Sequence, residues 1–210
     1  VFSMDGDVAP LPEILELAHR WDAYVIVDDA HGFGILGADG GGATSHFGLK
    51  DDRIIHVGTL SKAVAGLGGY VSGKRVMIDL LINRCRPFIF TTGLPPSVIA
   101  AATKAIELIT TQPERRQRLL SHANYLRVQL SQLGFSVPFG ETQILPVIVG
   151  NSFQTKQLAD QLLELGVFAP AIRPPTVPPN TARLRLCPIA THTQNEIKLV
   201  VEAFATCLEK

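Results

Sequence analysis

Two short runs do most to limit what this chain can fold into: Tyr24-Val-Ile-Val-Asp-Asp-Ala-His-Gly32 and Ile54-Ile-His-Val-Gly-Thr-Leu-Ser-Lys62. Each opens with an apolar, β-branched stretch that reads as a buried strand, and each delivers its polar residues at the carboxyl end. Ahead of the first run, Pro10-Leu-Pro12 leads into residues 13–20, whose apolar positions repeat at helical spacing with proline in the first turn. A helix feeding one strand, and a second strand of the same kind after it, predicts a parallel sheet. In open α/β sheets ligands sit at the carboxyl edge, so Asp28, His31 and Lys62 are expected to converge on one crevice.

The rest of the chain fits a globular protein. With 210 residues, 46% hydrophobic and 18% charged, it can bury a core in one large or two small domains. Nineteen basic and nineteen acidic residues cancel, leaving no electrostatic footprint for nucleic acid or an anionic membrane. The apolar runs are strand-sized, well short of the roughly 20 residues that span a bilayer, and no basic n-region opens the chain. Cys85, Cys187 and Cys207 are odd in number and lack metal-ligand spacing, which predicts reduced structural thiols in a cytoplasmic protein and no metal site. Val1 opens directly into Phe2-Ser-Met-Asp-Gly-Asp7, which reads as a strand end and turn and predicts that an amino-terminal half precedes it.

Downstream, residues 32–42 form a glycine-rich loop, and 66–73 hold a second glycine cluster around Tyr70 and Val71. The sheet is expected to end near 86–96. Helices are expected over 98–109 and 114–133, the latter stopped by Gly134. A strand over 143–149, a helix over 155–165 closed by Gly166, and a strand over 182–186 follow, and Thr193-Gln-Asn-Glu196 is a capping box opening a last helix. Residues 1–110 thus read as part of a large α/β domain and 111–210 as a small α+β domain.

Three motifs mislead. Gly32-Phe-Gly-Ile-Leu-Gly37 spells a dinucleotide fingerprint, but the Ala-Asp-Gly-Gly-Gly that follows cannot open the helix that would hold a pyrophosphate. Gly68-Gly-Tyr-Val-Ser-Gly-Lys74 imitates a phosphate loop, yet Arg75 stands where a magnesium-binding hydroxyl is required. His31 beside Asp28 and Asp29 hints at a metal, but no second histidine sits at ligand spacing. A strand-end lysine is usually a solvated surface group, and a strand-end aspartate a turn former. Together with His31, with Thr59 and Ser61 flanking Lys62 and with glycines permitting close approach, they instead point to pyridoxal phosphate, which asks for a carboxylate at its ring nitrogen and an amine at its aldehyde.

Ser3-Met-Asp-Gly-Asp7, Asp28-Asp-Ala-His-Gly32, Gly58-Thr-Leu-Ser-Lys-Ala63 and Gly68-Gly-Tyr70 resemble the α-oxoamine synthases, fold-type I pyridoxal phosphate transferases of the aspartate aminotransferase-like α/β class. Ile172-Arg-Pro-Pro-Thr-Val-Pro178 with Thr181-Ala-Arg-Leu-Arg-Leu186 resembles the branch of that family that condenses alanine with a pimeloyl thioester in biotin biosynthesis. The resemblance implies that Lys62 carries the cofactor and transfers protons, that Asp28 faces the pyridine nitrogen and that His31 bonds the phenolic oxygen. It places Ser3 in the cofactor shell, Thr59 on the phosphate, and Thr91 or Thr92 on the phosphate of a neighbouring subunit, hence a homodimer with shared sites. Arg173 and Thr176 meet the substrate carboxylate, and the acyl group arrives on coenzyme A or an acyl carrier protein. A relative using glycine with an acetyl or succinyl thioester would share every cofactor residue. A catalytically silent partner subunit is disfavoured by Lys62, because such subunits typically lack the lysine.

Overall fold

The computed structural model describes residues 1–208. Helix α1 (Leu11–Arg20) starts with proline in its first turn and carries Glu13 near its amino end and Arg20 in its last turn, signs that suit the helix dipole. Its buried residues Leu11, Leu15 and Ala18 recur at helical spacing and join a core with Val27, Leu36, Ala43 and Ile54. Strand β1 (Val25–Asp28) runs parallel to β2 (Ile54–Thr59), in register from Val25 opposite Ile54 to Asp28 opposite Val57. Between them lies α2 (Ala43–His46), and β3 (Gly69–Ser72) adds to the far side of β2 in antiparallel sense.

The two strands are less buried than their composition suggests. In β1 only Val27 is buried; Ile26 is 69% exposed, because α1 covers one face and no described element covers the other. In β2 only Ile54 and Gly58 are buried. The sheet ends at Ser72, earlier than expected, and α3 (Arg75–Arg84), α4 (Arg86–Ile89) and α5 (Pro96–Thr111) follow. Neither α3 nor α4 buries a residue, and α5 buries only Ala102.

The chain divides into two compact units, one comprising Val1 and Val8–Pro113, the other Phe2–Asp7 and the chain from Glu114 onward. In the second, α6 (Pro113–Gln132) leads to β4 (Leu145–Gly150), α7 (Ser152–Glu164), β5 (Ala171–Ile172), β6 (Ala182–Leu186) and α8 (Gln194–Leu208). The strands form an antiparallel sheet in the order β4-β6-β5. Leu145, Val147, Leu184 and Leu186 from the sheet pack with Leu126 and Leu130 of α6, Leu162 of α7 and Phe204 of α8. The Asn151 side chain caps α7, accepting from the backbone N–H groups of Phe153 and Gln154. The capping box at α8 forms: Thr193 N and Oγ1 both donate to Glu196 Oε2, and Glu196 N donates back to Thr193 Oγ1. No described helix is long and apolar enough to cross a membrane.

Candidate active site

Asp28 is the last residue of β1, and the parallel pairing puts it beside Val57 two residues before β2 ends, so the polar residues that follow both strands share one sheet edge. The Asp28 side chain is exposed, and its Oδ1 accepts a hydrogen bond from Ala30 N at 3.0 Å. That turn fixes the carboxylate and leaves Oδ2 available as an acceptor. His31 lies half-buried one residue beyond it.

Past β2 the chain makes a tight return. Gly66 N donates to Leu60 O at 2.6 Å, Ala65 N to Lys62 O at 2.9 Å and Leu60 N to Gly68 O at 2.9 Å, with the buried Val64 anchoring the bend. Lys62 projects from this return, exposed, and its Nζ pairs with no described residue. Thr59 Oγ1 lies 2.7 Å from Ser61 Oγ and accepts from Ser61 N at 3.2 Å, which packs two hydroxyls beside the lysine. Tyr70, opposite Gly58 in the β2–β3 pairing, lays its ring over that glycine, where a Cβ would come within 2.5 Å of the phenol. Its ring meets Phe33 edge-on at 5.5 Å. Burial, then the nearby charges of Asp29 and Asp28, hold the Tyr70 phenol above its ordinary pKa.

The first unit therefore brings Asp28, His31, Thr59 and Lys62 to one edge. Thr91 and Thr92 belong to the same unit, exposed between α4 and α5. Ser3, Arg173 and Thr176 belong to the second unit. There the 2–7 segment is held by three contacts: Arg185 Nε donates to Ser3 O at 2.6 Å, Arg183 Nη1 to Asp5 Oδ1, and Thr142 Oγ1 to Gly6 O at 2.7 Å. Arg173 and Thr176 are exposed on a turn closed by Thr176 N donating to Arg173 O at 3.1 Å and anchored by the buried Val177.

The sequence did not mark Arg185 as a site residue and offered Asp29 only as a weak hint of a metal. Arg185, which holds Ser3, lies within a quoted motif, but its partner is remote in sequence. Asp29 is buried and close-packed against Gly32 and Gly42; the glycines were the available signal. Among the described residues no three His, Cys, Asp or Glu side chains gather in a way that could hold a metal ion.

The family described as aminotransferase class I and II matches residues 1–204 of this chain. The chain is 50% identical over 201 residues to the 8-amino-7-oxononanoate synthase of Lysinibacillus sphaericus, covering 96% of this chain and 52% of that protein. A serine palmitoyltransferase from S. paucimobilis, solved with a bound PLP–myriocin aldimine, superposes with a TM-score of 0.94 at 36% identity over 100% of this chain and 53% of its own. The 8-amino-7-oxononanoate synthase of Francisella tularensis gives a TM-score of 0.85 at 27% identity over 100% and 61%. The chain spans about half the length of the curated relatives it matches. A family match over nearly the whole chain, with a relative at half identity, makes this chain a member of the class I and II aminotransferase family.

Proposed function

We propose that this chain is part of a pyridoxal phosphate-dependent α-oxoamine synthase that condenses L-alanine with a pimeloyl thioester to give 8-amino-7-oxononanoate. The observation that carries the reading is the free Lys62 amine and the free Asp28 carboxylate oxygen on the carboxyl edge of two adjacent parallel strands. An unpaired amine, an acceptor oxygen, an imidazole and two hydroxyls form a donor set that fits the cofactor. When bound, pyridoxal phosphate supplies an electron sink for a negative charge on the amino acid's α-carbon.

The chain's own residues do the rest. Lys62 Nζ would hold the cofactor through its aldehyde and, with alanine bound, would take the α-proton. Asp28 Oδ2 keeps a proton on the ring nitrogen, His31 donates to the phenolic oxygen, and Ser3 completes that shell. Thr59 holds the phosphate, and Thr91 or Thr92 that of a second subunit in a homodimer. Arg173, with Thr176, grips the carboxylate of alanine through its planar fork. The new bond joins the alanine α-carbon to the acyl carbon, the thiol leaves, the held carboxylate departs as carbon dioxide, and Lys62 returns a proton to the α-carbon. Residues 1–110 serve as part of the cofactor-binding domain and 111–210 as the small domain. The thiol is that of coenzyme A or an acyl carrier protein.

The palmitoyltransferase likeness favours a second reading, a serine- or glycine-using relative, which would share the cofactor residues proposed here. Borohydride reduction of the complete protein followed by peptide mapping should place the pyridoxyl group on Lys62; a label on Lys74 would refute the site. A panel of alanine, glycine and serine against pimeloyl, acetyl and palmitoyl thioesters then decides the substrate. Faster turnover of serine or glycine would replace our choice while leaving Lys62 and Asp28 in place.

A further inference from the structure

We infer that Asp29 is a positioning residue, whose buried carboxylate ties the far end of the 30–42 loop back to the sheet and thereby fixes Asp28 and His31; the inference rests on the reading that those two hold the cofactor. Asp29 is only 5% exposed. Its backbone N–H extends the β1–β2 pairing by donating to Val57 O at 2.9 Å, and its carbonyl accepts from Gly32 N at 3.1 Å and Phe33 N at 3.0 Å. Its side chain reaches across the loop: Oδ2 accepts from Ala43 N at 2.6 Å, joining residues 14 positions apart. Oδ1 lies 3.5 Å from the Val1 nitrogen and makes no hydrogen bond with a described group.

Two glycines are shaped to this carboxylate. A Cβ at Gly32 would fall 2.1 Å from Oδ1, and one at Gly42 would fall 1.9 Å from Oδ2, so neither position tolerates a side chain while Asp29 stays where it is. Gly42 also has φ +88°, a backbone state that favours glycine. Inside the closed loop Gly34 N donates to Gly40 O at 2.8 Å and Gly42 N to Leu36 O at 3.0 Å, with Leu36 buried in the core. His31 sits within the first turn of this ring and Asp28 immediately before it. With the side-chain tie to Ala43 cut, the loop keeps its backbone bonds but loses the charge-assisted one that sets the distance between its ends.

The test uses the complete holoprotein and its apoprotein. Asp29→Asn keeps an amide oxygen for Ala43 N and should hold the pyridoxal phosphate Kd within about threefold of wild type, whereas Asp29→Ala should raise it by about tenfold or more. In the apoprotein the His31 imidazole resonances should shift in Asp29→Ala and stay in place in Asp29→Asn. Gly32→Ala keeps the carboxylate but pushes it aside, so it should reproduce the His31 shift even where Asp29→Ala does not fold. Unmoved His31 resonances in either disruptive variant overturn the inference, whatever happens to thermal stability. Shifted resonances with wild-type cofactor affinity would keep the tie and refute instead the assignment of Asp28 and His31 to the cofactor.

Discussion

Replacing Asp28 with asparagine should stop the chemistry while leaving the fold alone. The local turn depends on Asp28 Oδ1 accepting from Ala30 N at 3.0 Å, and an asparagine amide oxygen accepts that bond equally well. The side chain is exposed, so no buried charge is removed. The expected stability change is within about 0.5 kcal/mol, or about 2 °C in Tm. What disappears is the negative Oδ2, replaced by an amide N–H that offers a second donor to a ring nitrogen which itself carries a proton. A hydrogen bond to a charged group contributes about 1.5 to 3 kcal/mol, and removal of a preorganised electrostatic stabiliser costs about 3 kcal/mol. At 1.36 kcal/mol per decade, turnover should fall by about 100-fold or more. The assay is kcat of the complete protein at saturating cofactor, alanine and pimeloyl thioester, with a thermal melt of the same preparations. A kcat within about threefold of wild type, a difference worth less than 1 kcal/mol, would falsify the electron-sink role of Asp28. A lost activity matched by a lowered melt would show that the turn, not the charge, was what the substitution removed.

Substituting His31 by alanine should be milder, about 1 kcal/mol and about fivefold in kcat, because one neutral hydrogen bond is lost; a loss as large as that of Asp28→Asn would mean that His31 transfers a proton. Arg173→Lys should raise the KM for alanine by roughly thirtyfold, near 2 kcal/mol at the low end for a charge pair since Arg173 is exposed, with cofactor affinity unchanged; an unaltered KM removes Arg173 from the substrate site. Hydrogen bonds from Thr193 N, then Thr193 Oγ1, hold Glu196 below the ordinary glutamate pKa of about 4.3, so its contribution is present above that value and is lost as pH falls through the lower folded one. Glu196→Gln should therefore lose stability at neutral pH and converge with wild type under strongly acidic conditions, by urea unfolding at a series of pH values; a pH-independent gap would refute the ionised cap. The 210-residue chain alone exposes Ile26, Val76, Phe88 and Phe90 at 69%, 73%, 64% and 77%, and should self-associate in sedimentation velocity; a single 22.7 kDa species would refute that.

The elements with local grammar were legible. The residues 182–186 form a strand as expected, the capping box at Thr193 opens α8, and the proline-led helix at 11–20 lies where its spacing predicts. The parallel pairing of β1 and β2 is the one expected from a helix feeding one apolar run with a second such run after it. Helix α3 was not legible: the Lys74 side chain does not cap it, none of its apolar residues is buried, and Val76, Leu80 and Ile82 are exposed. Periodicity reports burial, so a helix that buries nothing leaves no trace in it. The same limit applies to β1, where the apolar Ile26 reads as core and is exposed. The placement of Asp28, His31 and Lys62 past the ends of two adjacent parallel strands was legible, because strand ends are where polar residues gather. The tie from Asp29 to Ala43 was not, since a contact across 14 residues has no sequence period.

Asp28 and Asp29 show how one dipeptide divides two tasks. Successive residues of a strand project to opposite faces, and the burial of Val27, exposure of Asp28 and burial of Asp29 follow that alternation past the end of β1. The pleat gives the first carboxylate an open side, where a free oxygen can meet a ligand, and gives the second a closed one, where only backbone N–H groups and glycines can accommodate it. A buried carboxylate is costly unless hydrogen-bonded, so the second position requires the short bond from Ala43 and the absence of Cβ atoms at Gly32 and Gly42. The glycine-rich loop that imitates a dinucleotide fingerprint is thus explained without a nucleotide: two of its glycines leave room for a carboxylate. Exchanging the two roles would need a one-residue shift of register, which would turn Val27 outward and take it out of the core with Leu11 and Leu15. The order of acids at the strand end is therefore set by the same packing that forms the sheet.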